Sequence, residues 1–165
     1  MELERVDRIT AGAIGEPGHR TFFIQARKDT EVVTVLVEKE QVQLLAASVL
    51  EVLSRLDVET ATGSIEDMSL EEPAEPMFRG GRLSIGYDEE RDLILLEIEE
   101  LVPDDEDTEP ETLRLWATRE QMLALSSHGA EVGSRGRPKC ELCGNPIDPE
   151  GHACPATNGH KQLGR

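Results

Sequence analysis

Residues 31–56 read EVVTVLVEKEQVQLLAASVLEVLSRL. The spacing of the apolar residues changes partway through. Val33, Val35 and Val37 alternate with Thr34 and Leu36, the two-residue period of a strand. Val42, Leu45, Val49, Val52, Leu53 and Leu56 then recur at three- and four-residue steps. That spacing predicts an amphipathic helix of about four or five turns. A strand that runs directly into a helix is the unit from which the rest of the fold is read.

Upstream, RTFFIQA (20–26) is a strand, joined to the next by the charged turn Arg27-Lys28-Asp29-Thr30. Before it, Leu3 to Ile14 alternates loosely and GEPGH (15–19) marks a turn. Three strands and a helix therefore fill about 1–56. Downstream the order recurs. GRLSIGYD (81–88) is a strand, followed by the turn DEERD. LILLEIEEL (93–101) is apolar on both faces at its start, which predicts a covered position. TLRLWAT (112–118) is a strand and REQMLALSSHGAEVG (119–133) a helix. Thr118 is its N-cap, Gln121 completes a capping box, and Gly129 or Gly133 is its stop.

The two halves share more than their order. Glu40-Gln41-Val42 and Glu120-Gln121-Met122 enter the two helices at an offset of 80. Ile14-Gly15 and Ile85-Gly86 close the two first strands at an offset of 71, and the difference of nine fits an acidic loop expanded after Leu101. The expected fold class is α+β: a duplicated β-β-β-α meander-helix body, with both helices on one face and a small C-terminal zinc knuckle. The body covers 1–133, with halves at about 1–56 and 78–133, and the tail covers 134–165. Between the halves, residues 57–77 carry seven acids, two prolines and no Lys or Arg, the composition of a flexible linker.

The chain of 165 residues carries a formal net charge of −17, with one Trp, one Tyr and three Phe. Its core must come mainly from Val, Leu, Ile and Ala. Such acidity opposes binding to phosphate backbones and favours cationic partners. Residues 134–165 hold five basic and three acidic side chains, a net of +2, which leaves −19 for the rest. The first 20 residues carry several charges and lack the apolar core of a signal peptide. No apolar run approaches the roughly 20 residues of a membrane span. The expected location is the cytoplasm.

All three cysteines fall in CELCGNPIDPEGHACPATNGH (140–160), beside two of the four histidines. Cys140 and Cys143 form a C-x2-C-G knuckle, whose glycine permits a tight turn with N–H groups aimed at sulfur. Cys154 is the third ligand. The fourth is His152, two residues before it, with His160 as the alternative. Thiolates and imidazole select Zn2+ in tetrahedral geometry, and four ligands make the site closed and structural. A segment with so few apolar residues draws its folding energy from the metal. The deaminase pattern fails, because no His-x-Glu precedes the cysteines and Lys139 separates Pro138 from Cys140.

Other candidates for chemistry read as structural. His19 lies in a turn, with no Ser, Cys or Asp partner at a recognisable spacing. His128, near the end of the second helix, suits the negative end of the helix dipole. The acids of 104–109 lack the spacing and terminal Glu of a calcium loop. Gly80-Gly81 opens a strand, whereas a phosphate-binding loop follows one. Arg135, Arg137, Lys139 and Lys161 raise the thought of nucleic acid, against which stand the net charge and the absence of stacking aromatics in the tail.

GHRTFFIQA, the EKEQV helix entry and above all GRPKCELCGNPIDPEGHACPATNGH resemble an uncharacterised, mainly actinobacterial family, domain of unknown function 3090. The resemblance covers essentially the whole chain and carries over no catalytic residue. The family's genes accompany those for a histidine-phosphatase-like and a lipid-kinase-like protein, which implies one of these as a protein partner. The expected function is a non-enzymatic zinc-binding adaptor or protein-interaction module of the bacterial cytosol. The alternative is an enzyme, or an enzyme-activating subunit, working with those two proteins on phosphorylated metabolites.

Overall fold

The computed structural model describes residues 1–16, 18–56, 67–134, 152–153 and 161–162. It divides into two compact units, one of Met1–Ala13 with Thr21–Gly133, the other of Ile14–Arg20 with Ser134–Arg165.

The chain runs β1 (Glu2–Leu3), β2 (Arg8–Ile14), β3 (Thr21–Lys28), β4 (Glu31–Val37), α1 (Lys39–Arg55), β5 (Phe78–Asp88), β6 (Leu93–Glu100), β7 (Thr112–Ala117) and α2 (Arg119–Ser134). Two short strands, β8 (His152–Ala153) and β9 (Lys161–Gln162), pair antiparallel in the second unit. The fold is therefore α+β, with two helices and a seven-stranded sheet of order β1-β7-β6-β5-β4-β3-β2. The period change at residue 38 produces β4 and α1 where the sequence places them.

Within the sheet, β3–β4, β5–β6 and β6–β7 are antiparallel. The β4–β5 pair is parallel and only two residues long, Val35 opposite Phe78 and Leu36 opposite Arg79. The β1–β7 pair is also parallel and two residues long, Glu2 opposite Arg114 and Leu3 opposite Leu115. The two outermost strands, β1 and β2, are neighbours in the chain. The stretch between them continues both pairings: Val6 N–H donates to the Trp116 carbonyl of β7 at 2.9 Å, and Asp7 N–H to the Arg27 carbonyl of β3 at 2.8 Å. The sheet thus curls until one N-terminal stretch joins its two ends. Closure leaves few unpaired strand edges.

Alternation decides what fills the interior. Ile24 faces Val35 across β3–β4, and Leu96 faces Leu115 across β6–β7. These four side chains are at most 1% exposed. They share one cluster with Val42, Leu45 and Val49 of α1 and Met122, Leu125 and Val132 of α2. The helices meet through small residues. Ser126 Oγ donates to the Ala46 carbonyl at 2.6 Å. A Cβ on Gly129 would lie 3.4 Å from Val42 Cγ1. Gly129 is therefore no stop. It lies inside α2, which continues to Ser134, and faces Val42 of α1. His128 consequently sits well before the last turn, so the helix dipole does not explain it.

Residues 67–71, expected to be flexible, are held on the outer face of β2–β4. Thr10 Oγ1 donates to the Met68 carbonyl at 2.5 Å. The Gln25 side chain donates to the Glu71 carbonyl at 3.0 Å and accepts from its N–H at 2.7 Å. Arg27 forks onto the Glu71 carboxylate, with Nε at 2.9 Å from Oε2. Leu70 sits above Gly12, where no Cβ intervenes. Arg8 also donates to the Asp67 carbonyl at 3.1 Å, so side chains of β2 and β3, two arginines among them, fix this acidic segment, a means that composition does not reveal. Residues 57–66 lie outside the described residues.

Candidate functional site

The first turns of the two helices are built alike. Thr118 N–H donates to Gln121 Oε1 at 2.9 Å, and Gln121 N–H to Thr118 Oγ1 at 3.1 Å, the expected capping box. At α1, Glu38 N–H donates to Gln41 Oε1 at 2.7 Å. Each glutamine then uses its amide nitrogen elsewhere. Gln41 Nε2 donates to the Gly80 and Gly81 carbonyls at 3.2 and 3.0 Å. Gln121 Nε2 donates to the Val6 and Asp7 carbonyls at 3.0 and 3.3 Å. Each helix start thus clamps two successive carbonyls where a strand begins on the far side of a parallel pair. The strands continue RLSIG (82–86) and RITAG (8–12).

Past each clamp lies a seam between helix and strand, and the two seams differ. Beside α2, Ile9 is 2%, Ala11 0% and Val132 4% exposed. Beside α1, Leu83, Ile85 and Val52 are only half-buried, and a cavity of about 540 Å³ opens between helix and strand. Its floor is apolar, and Leu44 on its rim is 68% exposed. Glu51 and Arg55 pair along the helix rim, and Arg82 lies on the strand side. A second hollow of about 420 Å³ shares Gly81 and Arg82 and is bordered by Glu99, Glu100, Asp104 and Glu106. The shared residues lie at the bulge between Gly80 and Arg82. The arrangement offers an apolar trough ending in concentrated negative charge.

Outside the seam, polar side chains brace the sheet. Trp116 Nε1 donates to Glu2 Oε2 at 2.7 Å, and Arg114 bridges Glu2 and Glu97 at 3.3 and 3.0 Å. The Trp116 hydrogen bond, with Arg114 beside it, holds the Glu2 carboxyl below the ordinary glutamate range. Tyr87 Oη donates to Asp92 at 2.7 Å, which Arg119 also pairs. The Tyr87 bond, followed by those from Arg119, lowers Asp92, and the same bond raises Tyr87. These groups neutralise one another.

Of the expected metal ligands, Cys140, Cys143, Cys154 and the alternative His160 lie outside the described residues. For His152 the structure gives the backbone alone, paired with Gln162. Among the described residues no group of three or more His, Cys, Asp or Glu is placed to hold a metal ion. His19 is exposed in the 15–19 turn, where its N–H donates to the Glu16 carbonyl at 2.9 Å. The open seam was not singled out from sequence. Its trace there is Leu44, an exposed leucine on the polar side of α1.

No described helix is long and apolar enough to cross a membrane. Neither the curated proteins nor the solved structures contain a match to this chain. The family model described as protein of unknown function (DUF3090) matches residues 1–154, and the chain accordingly belongs to the domain of unknown function 3090 family.

Proposed function

We propose that the protein is a non-enzymatic adaptor whose body and zinc-bearing tail dock partner proteins in the cytoplasm. The observation that carries this reading is the open apolar seam at α1 and β5, ending in the acidic 99–106 region. An apolar trough rimmed by charge suits a protein surface. The test is co-purification with the histidine-phosphatase-like or lipid-kinase-like protein. A stable complex, lost in Cys143→Ser, is the expected result. Turnover of a phosphorylated or nucleotide substrate by the protein alone, abolished by a single substitution, would sink the reading and favour the enzyme alternative.

The tail is read as a structural zinc knuckle of Cys140, Cys143, His152 and Cys154, supported by the C-x2-C-G spacing and the soft donor set. Elemental mass spectrometry should find one zinc per chain, lost in His152→Ala and kept in His160→Ala.

The body is read as a duplicated β-β-β-α unit. Its support is the pair of glutamine clamps, which align Arg8–Gly12 with Arg82–Gly86 at an offset of 74. That alignment replaces the pairing of Ile14-Gly15 with Ile85-Gly86, three residues out of step with it.

A further inference from the structure

We infer that the α1–β5 seam receives an extended, lysine- or arginine-bearing segment of a partner protein, which adds a strand to the free edge of β5. The inference rests on the adaptor reading and names the chemistry of its partner.

Three observations carry it. First, β5 is a long strand that overlaps its neighbour β4 only briefly. It pairs with β6 along Arg82–Asp88, whereas β4 reaches only Phe78 and Arg79 and Gln41 takes the next two carbonyls. Beyond Gly81 the edge of β5 facing α1 has no strand partner among the described residues. Backbone N–H and C=O groups along such an edge recruit another strand. Second, the corresponding seam beside α2 is sealed, with Ile9 and Ala11 at 2% and 0% exposure. Leu83 and Ile85 occupy the same places after their clamp and remain half-buried. One architecture built twice is filled once and open once. Third, the charge selects the occupant. Glu51, Glu99, Glu100, Asp104 and Glu106 line the two neighbouring hollows against Arg55 and Arg82, and Glu51 already holds Arg55. A second copy of this chain would bring one −17 surface to another. A cationic segment meets complementary potential instead. Side chains on alternate positions of the added strand would enter the trough over Leu83 and Ile85, and basic residues would lie against the acidic end.

The test uses the full chain and an eleven-residue peptide alternating leucine and lysine. Controls are the leucine–glutamate version, an all-lysine peptide and a leucine–lysine peptide with a central proline. Affinity is read by fluorescence anisotropy, the site by amide shifts. The expected result is binding of the leucine–lysine peptide with shifts at Leu83–Tyr87. Ser48→Arg, on the exposed helix wall of the seam, should weaken it at least tenfold. Leu50→Arg, outside the lining, should leave it unchanged, and the proline and glutamate peptides should bind at least tenfold more weakly. Equal binding by the all-lysine or proline peptide, or indifference to Ser48→Arg, overturns the inference. So does protection from hydrogen exchange, in the free chain, of the alternate Leu83–Tyr87 amides that point away from β6, which would mean that the chain fills its own seam. A partner complex that survives Ser48→Arg while the peptide fails to bind removes this inference and leaves the adaptor reading standing.

Discussion

Gln41 and Gln121 each do three things with one side chain. The amide oxygen caps a helix start, and the amide nitrogen satisfies two carbonyls across a strand junction. Losing the amide strands these groups in a partly buried place. Gln41→Met and Gln121→Met should each cost about 1–2 kcal/mol, the scale of a helix cap plus unsatisfied carbonyls. Urea denaturation measures both. A loss at one site and none at the other would contradict their equivalence. Glu71 supports a second prediction. Hydrogen bonds from Arg27 hold its carboxyl below the ordinary glutamate range, against the opposing effect of burial. A folded-state pKa that is depressed stabilises the fold above the unfolded value of about 4.3, and the contribution is lost as pH falls through the folded value. The melting temperature should therefore fall from about pH 5 to about pH 2 more steeply in wild type than in Glu71→Gln. Parallel curves would show that the Arg27 pair contributes nothing.

At the scale of elements, three glycines separate packing from backbone need. A Cβ on Gly12 would meet Leu70 Cγ at 2.7 Å, so Gly12→Ala must displace the Leu70 side chain. Overpacking of this kind costs about 1–3 kcal/mol. Gly86 follows its clamp at the same step as Gly12, yet a Cβ there would find its nearest neighbour, Leu95, only at 3.8 Å. Gly86→Ala should therefore be neutral. At Gly129 the contact with Val42 is ordinary van der Waals distance, and replacing a mid-helix glycine should raise stability by about 0.5–1 kcal/mol. Thermal melts of the three variants check the order. These positions also show what was legible in the sequence. Strand and helix periods are local properties, so every long element from β2 to α2 could be read. Of the two glycines expected to stop α2, Gly133 falls in its last turn and Gly129 inside it, and they could not be told apart because a glycine at a helix crossing and a glycine at a helix end look the same in one dimension. The seam was invisible because Leu44 resembles the scattered leucines of any surface. Only the two-residue overlap of β4 with β5 leaves that place open, and the register of one strand against another is a tertiary fact.

For the whole molecule, the consequence of closure is cooperativity. Neither half completes its own sheet: β4 hands over to β5 through Phe78, and β7 hands over to β1 through Leu3. Leu3 and Phe78 are 5% and 7% exposed, and each buries its side chain in the one shared cluster. Both clamps cross the same junctions. A half that unfolded alone would strip the other of a strand neighbour at both ends and open its interior to water. The body should therefore unfold in a single transition. Trp116, the only tryptophan, reports from β7. Ile24, on β3, lies in the other half and is 1% exposed. Ile24→Ala should cost about 2–5 kcal/mol, as buried truncations do. It should move the urea midpoint seen by Trp116 fluorescence as far as the midpoint seen by far-ultraviolet circular dichroism. A Trp116 midpoint that stayed in place while the dichroism midpoint fell would mean two independently folding halves. The strand exchange at Leu3 and Phe78 would then be a contact between finished domains, and the closed sheet would not be the cooperative unit.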